Sequence, residues 1–164
     1  PTFRDGKEDK PEIFFDYKHI SKELGQEYVI GLRLHPFVSK SFEIEDELQS
    51  LTIDFSHYES LNSLLFATDV LITDYSSVAF EYAVLNRPML FFAYDLEEFS
   101  QQGRGFYHDY KEYVPGKIVT TNEEIIDTIQ NHTYDESRTK EFIASAYTYK
   151  DGNSTKRLID VLGM

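Results

Sequence analysis

The 164-residue chain has no cysteine, no tryptophan and only two methionines. Without cysteine there is neither a disulfide framework nor a thiolate metal site, a composition that fits a reducing compartment. No run approaches the roughly 20 apolar residues of a membrane span, and the opening Pro1-Thr2-Phe3-Arg4-Asp5-Gly6 lacks the apolar core of a signal peptide. The chain therefore reads as soluble as it stands and, starting without Met, as processed or as a piece of something longer. Basic charge is scarce: 16 Lys and Arg stand against 29 Asp and Glu, a formal charge of −13. Such a charge repels polyphosphate backbones and anionic lipid surfaces unless a basic patch overrides it. The densest cationic stretch holds only Lys150, Lys156 and Arg157 and reads as a solvated helix face, so nucleic acid is not an expected partner.

Several motifs are missing too. There is no Walker-type glycine loop, no G-x-G-x-x-G fingerprint and no G-x-S-x-G elbow, which counts against an ordinary nucleotide kinase, dehydrogenase or α/β-hydrolase. His19, His57, His108 and His132 show no metal-ligand spacing, and nothing in the sequence demands a metal or other cofactor. Repeats, low-complexity stretches and linkers are absent, so residues 1–164 read as one domain around one core.

What is present is the composition of a globular domain, 41% hydrophobic and 27% charged. Aromatic residues reach 15%, many in apolar runs such as Leu90-Phe91-Phe92-Ala93-Tyr94, where they serve the core. Short runs rich in Val, Ile, Leu and Phe alternate with helical patterns, which predicts an α/β fold, doubly wound with a mainly parallel sheet. Strands are expected at Tyr28 to Leu34, Leu51 to Asp54, Val70 to Thr73, Met89 to Ala93 and Ile118-Val119. Helices are expected at Phe14 to Leu24 with Gly25 as stop, at Ser60 to Ala67, and at Ser77 to Leu85 before Asn86 and Pro88. Asp95 to Gly116 reads as a long irregular loop. Beyond it, Thr121 and Glu124 form the capping box of a helix reaching about Gln130, and helices follow at Glu136 to Tyr147 and Ser154 to Leu162.

Three stretches carry candidate chemistry. In Val70-Leu71-Ile72-Thr73-Asp74-Tyr75-Ser76-Ser77 a buried strand delivers a hydroxyl-rich turn to the start of a helix, at the carboxyl edge where open α/β folds bind ligands. Unpaired N–H groups, the helix dipole and the hydroxyls of Ser76 and Ser77 suit a phosphate there, although Ser76 can equally serve as a simple cap. Glu81, one turn further on, would accept from ribose or polyol hydroxyls or would be a plain surface glutamate. In Arg33-Leu34-His35-Pro36 a strand ends in a histidine, suited to contact a diphosphate or move a proton, or else to bond a loop carbonyl. In Gly103-Arg104-Gly105 the glycines would let a guanidinium approach a phosphate closely; the alternative is a flexible surface arginine.

These residues resemble the CDP-glycerol glycerophosphotransferases, which build the poly(glycerol phosphate) or ribitol phosphate chains of teichoic acids. The resemblance lies in Leu71 to Ser77 with Phe80-Glu81-Tyr82, in Arg33 with His35-Pro36, in Arg104-Gly105-Phe106-Tyr107 with Asp109-Tyr110, and in Pro115-Gly116. It extends to Pro1 through Asp5 and to Asp151-Gly152-Asn153-Ser154, and so covers essentially the whole chain. The family has a GT-B-like architecture of two Rossmann-like halves, and the chain looks like the C-terminal, donor-binding half. The N-terminal half, with its presumed catalytic base, is then absent, and the chain alone is expected to be inactive.

The resemblance makes His35 the catalytic candidate, assisting at the donor diphosphate. It assigns donor or phosphate binding to Arg33, Thr73, Asp74, Ser76, Ser77, Glu81, Arg104 and Asp109. It implies a CDP-glycerol or CDP-ribitol donor, a teichoic acid acceptor held by the missing half, and work at the cytoplasmic face of the membrane. Given the acidic charge, membrane contact is expected only through absent regions. Two rivals remain open: a GT-B glycosyltransferase domain for a nucleotide sugar, and a non-catalytic nucleotide- or partner-binding module.

Overall fold

A computed structural model describes residues 14–35, 39, 42–102 and 105–163. In chain order the elements are α1 (Tyr17–Leu24), β1 (Ile30–Leu32), a 3-10 turn (Asp46–Leu48), β2 (Thr52–Asp54), α2 (Leu61–Ala67), β3 (Leu71–Thr73) and α3 (Val78–Ala83). They continue with β4 (Met89–Phe92), α4 (Leu96–Gln102), α5 (Tyr110–Tyr113), β5 (Lys117–Val119), α6 (Asn122–Gln130), α7 (Thr139–Ala146) and α8 (Ser154–Leu162). Every pairing between them is parallel: β1 with β2, and β3 with β4 with β5.

β4 explains the layering. All four of its residues are buried, and because strand side chains alternate, they feed two cores. Met89 and Phe91 join Leu65, Tyr82, Tyr110 and Phe142 on one side. Leu90 and Phe92 join Ile20, Leu24, Ile125 and Ile129 on the other. Helices therefore cover both faces, as the alternating sequence pattern requires. Burying each such side chain contributes roughly 1.5–3 kcal/mol, so this strand anchors both layers. β1 and β3 lie in separate hydrogen-bonded sets, yet Ile30 and Ile72 pack on the same core beside Leu90.

Local chemistry sets the element ends. Asp16 caps α1 by accepting from the His19 N–H at 3.1 Å. The helix buries Tyr17, Ile20, Ser21 and Leu24, one face at helical spacing, and Ser21 Oγ lies 2.6 Å from Thr52 Oγ1 at the start of β2. Gly25 does end α1, but its φ of −67° is an ordinary helical value. Glycine is needed for closeness: a Cβ would sit 2.4 Å from the Ser21 carbonyl oxygen. Asn86, with φ of 52°, takes the left-handed stop after α3. The Thr121–Glu124 capping box is present in full, and Thr120 N–H adds a 2.6 Å bond to the same carboxylate.

Three expectations need correction. The segment from Asp95 to Gly116 is not one irregular loop; it holds α4 and α5, the latter started by the Asp109 carboxylate, which accepts from Lys111 N–H and Glu112 N–H. The helix expected from Glu136 begins at Thr139, because Asp135 Oδ1 binds Ser137 N–H and Oγ in a side-chain turn that precedes it. Strand lengths differ too: β1 is three residues rather than seven, whereas β5 gains Lys117 ahead of the expected Ile118-Val119.

Candidate functional site

The turn after β3 sits on a stack of aromatic rings. Thr73 is the last residue of β3, paired with Phe91, and Asp74 follows it with 5% of its surface exposed. The Asp74 carbonyl accepts a buried 3.0 Å hydrogen bond from the Tyr110 hydroxyl. Tyr75 stacks on Phe99 at 4.0 Å, contacts Phe106 and Tyr110, and donates its hydroxyl to Asp95 Oδ1 at 2.8 Å. The hydroxyl turn is thus held from below by the segment between Asp95 and Tyr113.

Beyond this base the chain emerges. Ser76 is half-buried and its Oγ accepts from the Val78 N–H at 3.3 Å, a local bond just ahead of α3, whose N-cap position is Ser77. Ser77 is exposed, and its side chain makes no capping bond to α3. Glu81 is exposed one turn along, in a pocket of about 290 Å³ that it shares with Asn62, Leu65, Phe66 and Tyr147. Partial burial, and then the Glu81 charge, push the Tyr147 phenol above its usual range.

His35 and Arg33 follow β1. His35 is half-buried, and its carbonyl accepts from Ser39 N–H at 3.1 Å. Arg33 sends Nη1 to the carbonyls of Phe55 and Tyr58 at 3.1 and 2.7 Å, tying the end of β1 to the loop after β2. Asp109 caps α5, placing Tyr110 at its first position. Arg104 lies outside the described residues.

Thr73, Asp74, Ser76 and Ser77 therefore share one turn, Asp109 joins them through Tyr110, and Glu81 follows along α3. Arg33 and His35 follow a different strand, β1, linked to β3 by the shared Ile30 and Ile72 core. Sequence reasoning assigned no supporting role to Tyr75, Asp95 or Tyr110. Tyr75 and Tyr110 stood inside the motifs that carry the resemblance, and Asp95 opened the aromatic segment read as a loop. Among the described residues no cluster of three or more His, Asp or Glu is arranged to hold a metal ion.

A family model described as CDP-Glycerol:Poly(glycerophosphate) glycerophosphotransferase matches residues 1–163. The chain belongs to this family. Among its relatives, the teichoic acid poly(ribitol-phosphate) polymerase of Bacillus spizizenii is 37% identical over 163 residues, covering 98% of this chain and 26% of the relative. The teichoic acid glycerol-phosphate primase of Bacillus subtilis is 37% identical over 162 residues, covering 99% of this chain and 42% of the relative. The solved wall teichoic acid polymerase TagF superposes with a TM-score of 0.81 at 33% identity, covering 99% of this chain and 42% of that one. A TagF variant soaked with CDPG gives 0.79 at 34% identity. The chain spans between about a quarter and two fifths of the length of these family members.

Proposed function

We propose that this chain binds the CDP-activated donor of a transferase that moves glycerol phosphate or ribitol phosphate onto a growing teichoic acid chain. The observation that carries the reading is the family match over residues 1–163, together with a turn whose serines follow a half-buried parallel strand. Small hydroxyls and backbone N–H groups suit a diphosphate better than a neutral ligand.

In the proposed reaction an acceptor hydroxyl oxygen attacks the β-phosphorus of the donor, and the bond from that phosphorus to the bridging oxygen breaks. CMP leaves with the bridging oxygen. The acceptor proton passes to a base supplied from outside this chain. Such a transfer depends on positioning and on neutralising charge that shifts to the leaving group. Ser76, Ser77 and Arg104 are assigned to the phosphates and His35 to the leaving diphosphate. Glu81 is assigned to ribose or polyol hydroxyls. Arg33, Thr73, Asp74 and Asp109 frame the donor through the turns they hold. Acceptor and membrane contacts are assigned to regions beyond this chain, with the enzyme peripheral at the cytoplasmic face. In isolation the chain is expected to bind donor without transferring it. Among the described residues no helix is long and apolar enough to cross a membrane.

Calorimetric titration with CDP-glycerol, CDP-ribitol, UDP-glucose and CMP tests this reading. The CDP-linked polyols should bind tightest, and tighter UDP-glucose binding would transfer the domain to the glycosyltransferases. The double substitution Ser76→Ala, Ser77→Ala should weaken CDP-glycerol by about 1–3 kcal/mol, one or two charge-assisted bonds. Loss of the Ser76 bond to the Val78 N–H should also cost roughly 1 kcal/mol of stability, so melting is recorded beside it. A double variant that melts lower yet binds donor like the parent would leave these serines a local structural role alone.

A further inference from the structure

We infer that Tyr110 is a positioning residue for the donor site proposed above, on which the inference rests: its hydroxyl sets the course of the Asp74–Ser77 turn without touching the ligand. Tyr110 is 9% exposed, and its hydroxyl reaches the Asp74 carbonyl, 36 residues away in sequence, at 3.0 Å. The β3–β4 register runs to Thr73 opposite Phe91, so the Asp74 carbonyl lies one residue past the paired positions. Its direction decides how the next peptides, and the Ser76 hydroxyl two residues on, face solvent. Removing the Tyr110 hydroxyl takes a buried hydrogen bond from this carbonyl, and a carbonyl that rotates to replace it would carry the turn with it.

Tyr110 is well placed to impose that direction. Its ring meets Phe91 of β4 edge-on at 6.2 Å, Phe106 at 5.0 Å and Tyr75 of the turn at 5.2 Å. Asp109 caps the helix that carries it, Arg138 Nη1 binds the Lys111 carbonyl, and Thr139 Oγ1 binds the Pro115 carbonyl at 3.1 Å. The segment bearing the phenol is therefore anchored to α7 independently of the turn it holds.

Tyr82 supplies a control within the same core. Its hydroxyl also donates to a carbonyl, that of Thr68 at 3.0 Å, but Thr68 precedes β3 while Asp74 follows it. CDP and cytidine are titrated into the parent, Tyr110→Phe, Tyr82→Phe and the Ser76→Ala, Ser77→Ala double variant, each with its melting curve. Tyr110→Phe should raise the Kd for CDP about threefold to tenfold, the weight of one hydrogen bond, and leave cytidine affinity unchanged. Tyr82→Phe should lower the melting temperature and bind CDP as the parent does. Parent-like CDP binding by Tyr110→Phe, or an equal loss in Tyr82→Phe, overturns the positioning role. Unchanged CDP affinity in the serine variant overturns the donor-site reading itself, and the positioning role with it.

Discussion

The Tyr75 hydroxyl donates to Asp95 Oδ1 at 2.8 Å and joins the turn after β3 to the turn that opens α4. The same tyrosine ring stacks on Phe99 of α4 at 4.0 Å. Polar and aromatic contacts thus fasten one segment twice. Tyr75→Phe keeps the stacking and removes the bond to a carboxylate, so urea unfolding should show a loss of about 1–3 kcal/mol. A loss below about 0.5 kcal/mol would mean that stacking alone holds this junction.

The Thr121–Glu124 box predicts an acid-sensitive helix start. Hydrogen bonds from Thr120, backbone first, and from the Thr121 N–H hold the Glu124 carboxyl below its usual range. The folded state therefore binds this proton less readily than the unfolded chain. The contribution is complete above the ordinary glutamate pKa of about 4.3 and is lost as pH falls through the folded value. Glu124→Gln should destabilise by roughly 1 kcal/mol at pH 7 and by less at pH 3. Equal differences at both pH values in paired denaturation curves would contradict it.

Tyr82 acts at the other end of the pH scale. Burial is the main cause that pushes its phenol up to about 12, and its surface is fully buried. The neutral form belongs to the fold, so its stabilisation persists below the ordinary tyrosine pKa of about 10 and is lost as pH rises from there toward 12. Tyr82→Phe should cost about 1 kcal/mol at pH 7, yet lose less stability than the parent between pH 10 and 11. Parallel alkaline melting curves for the two proteins would exclude this tyrosine as a cause.

Gly116 guards a close approach between the chain entering β5 and the start of β4. A Cβ there would lie 2.3 Å from the Met89 carbonyl oxygen, a backbone atom with little room to yield. Gly116→Ala should destabilise by about 1–3 kcal/mol through overpacking. Thermal melting would check it, and an unchanged melting temperature would show that β5 shifts without penalty.

What the sequence by itself determined was local and periodic. The alternation of apolar runs and helical patterns was enough for the parallel, doubly wound class, because burial on both faces leaves uninterrupted runs such as Met89–Phe92. The cap at Thr121, the stop at Asn86 and α8 at Ser154–Leu162 were legible because each depends on a few neighbouring residues. The candidate turn at Thr73–Ser77 was legible as a strand followed by hydroxyls, and its family resemblance agrees with the match over residues 1–163.

Only tertiary structure decided what holds that turn. The 3.0 Å bond from Tyr110 to Asp74 and the 2.8 Å bond from Tyr75 to Asp95 join positions 36 and 20 residues apart, and no periodicity encodes such pairs. The same contacts turned the apparent loop after Asp95 into two short helices. Helices of seven and four residues are too brief to stand on propensity alone. Arg33 reaches the carbonyls of Phe55 and Tyr58 because the fold brings the end of β1 beside the loop after β2. Side-chain chemistry is written in the sequence, but which partner each group meets depends on how the two cores bring distant segments together.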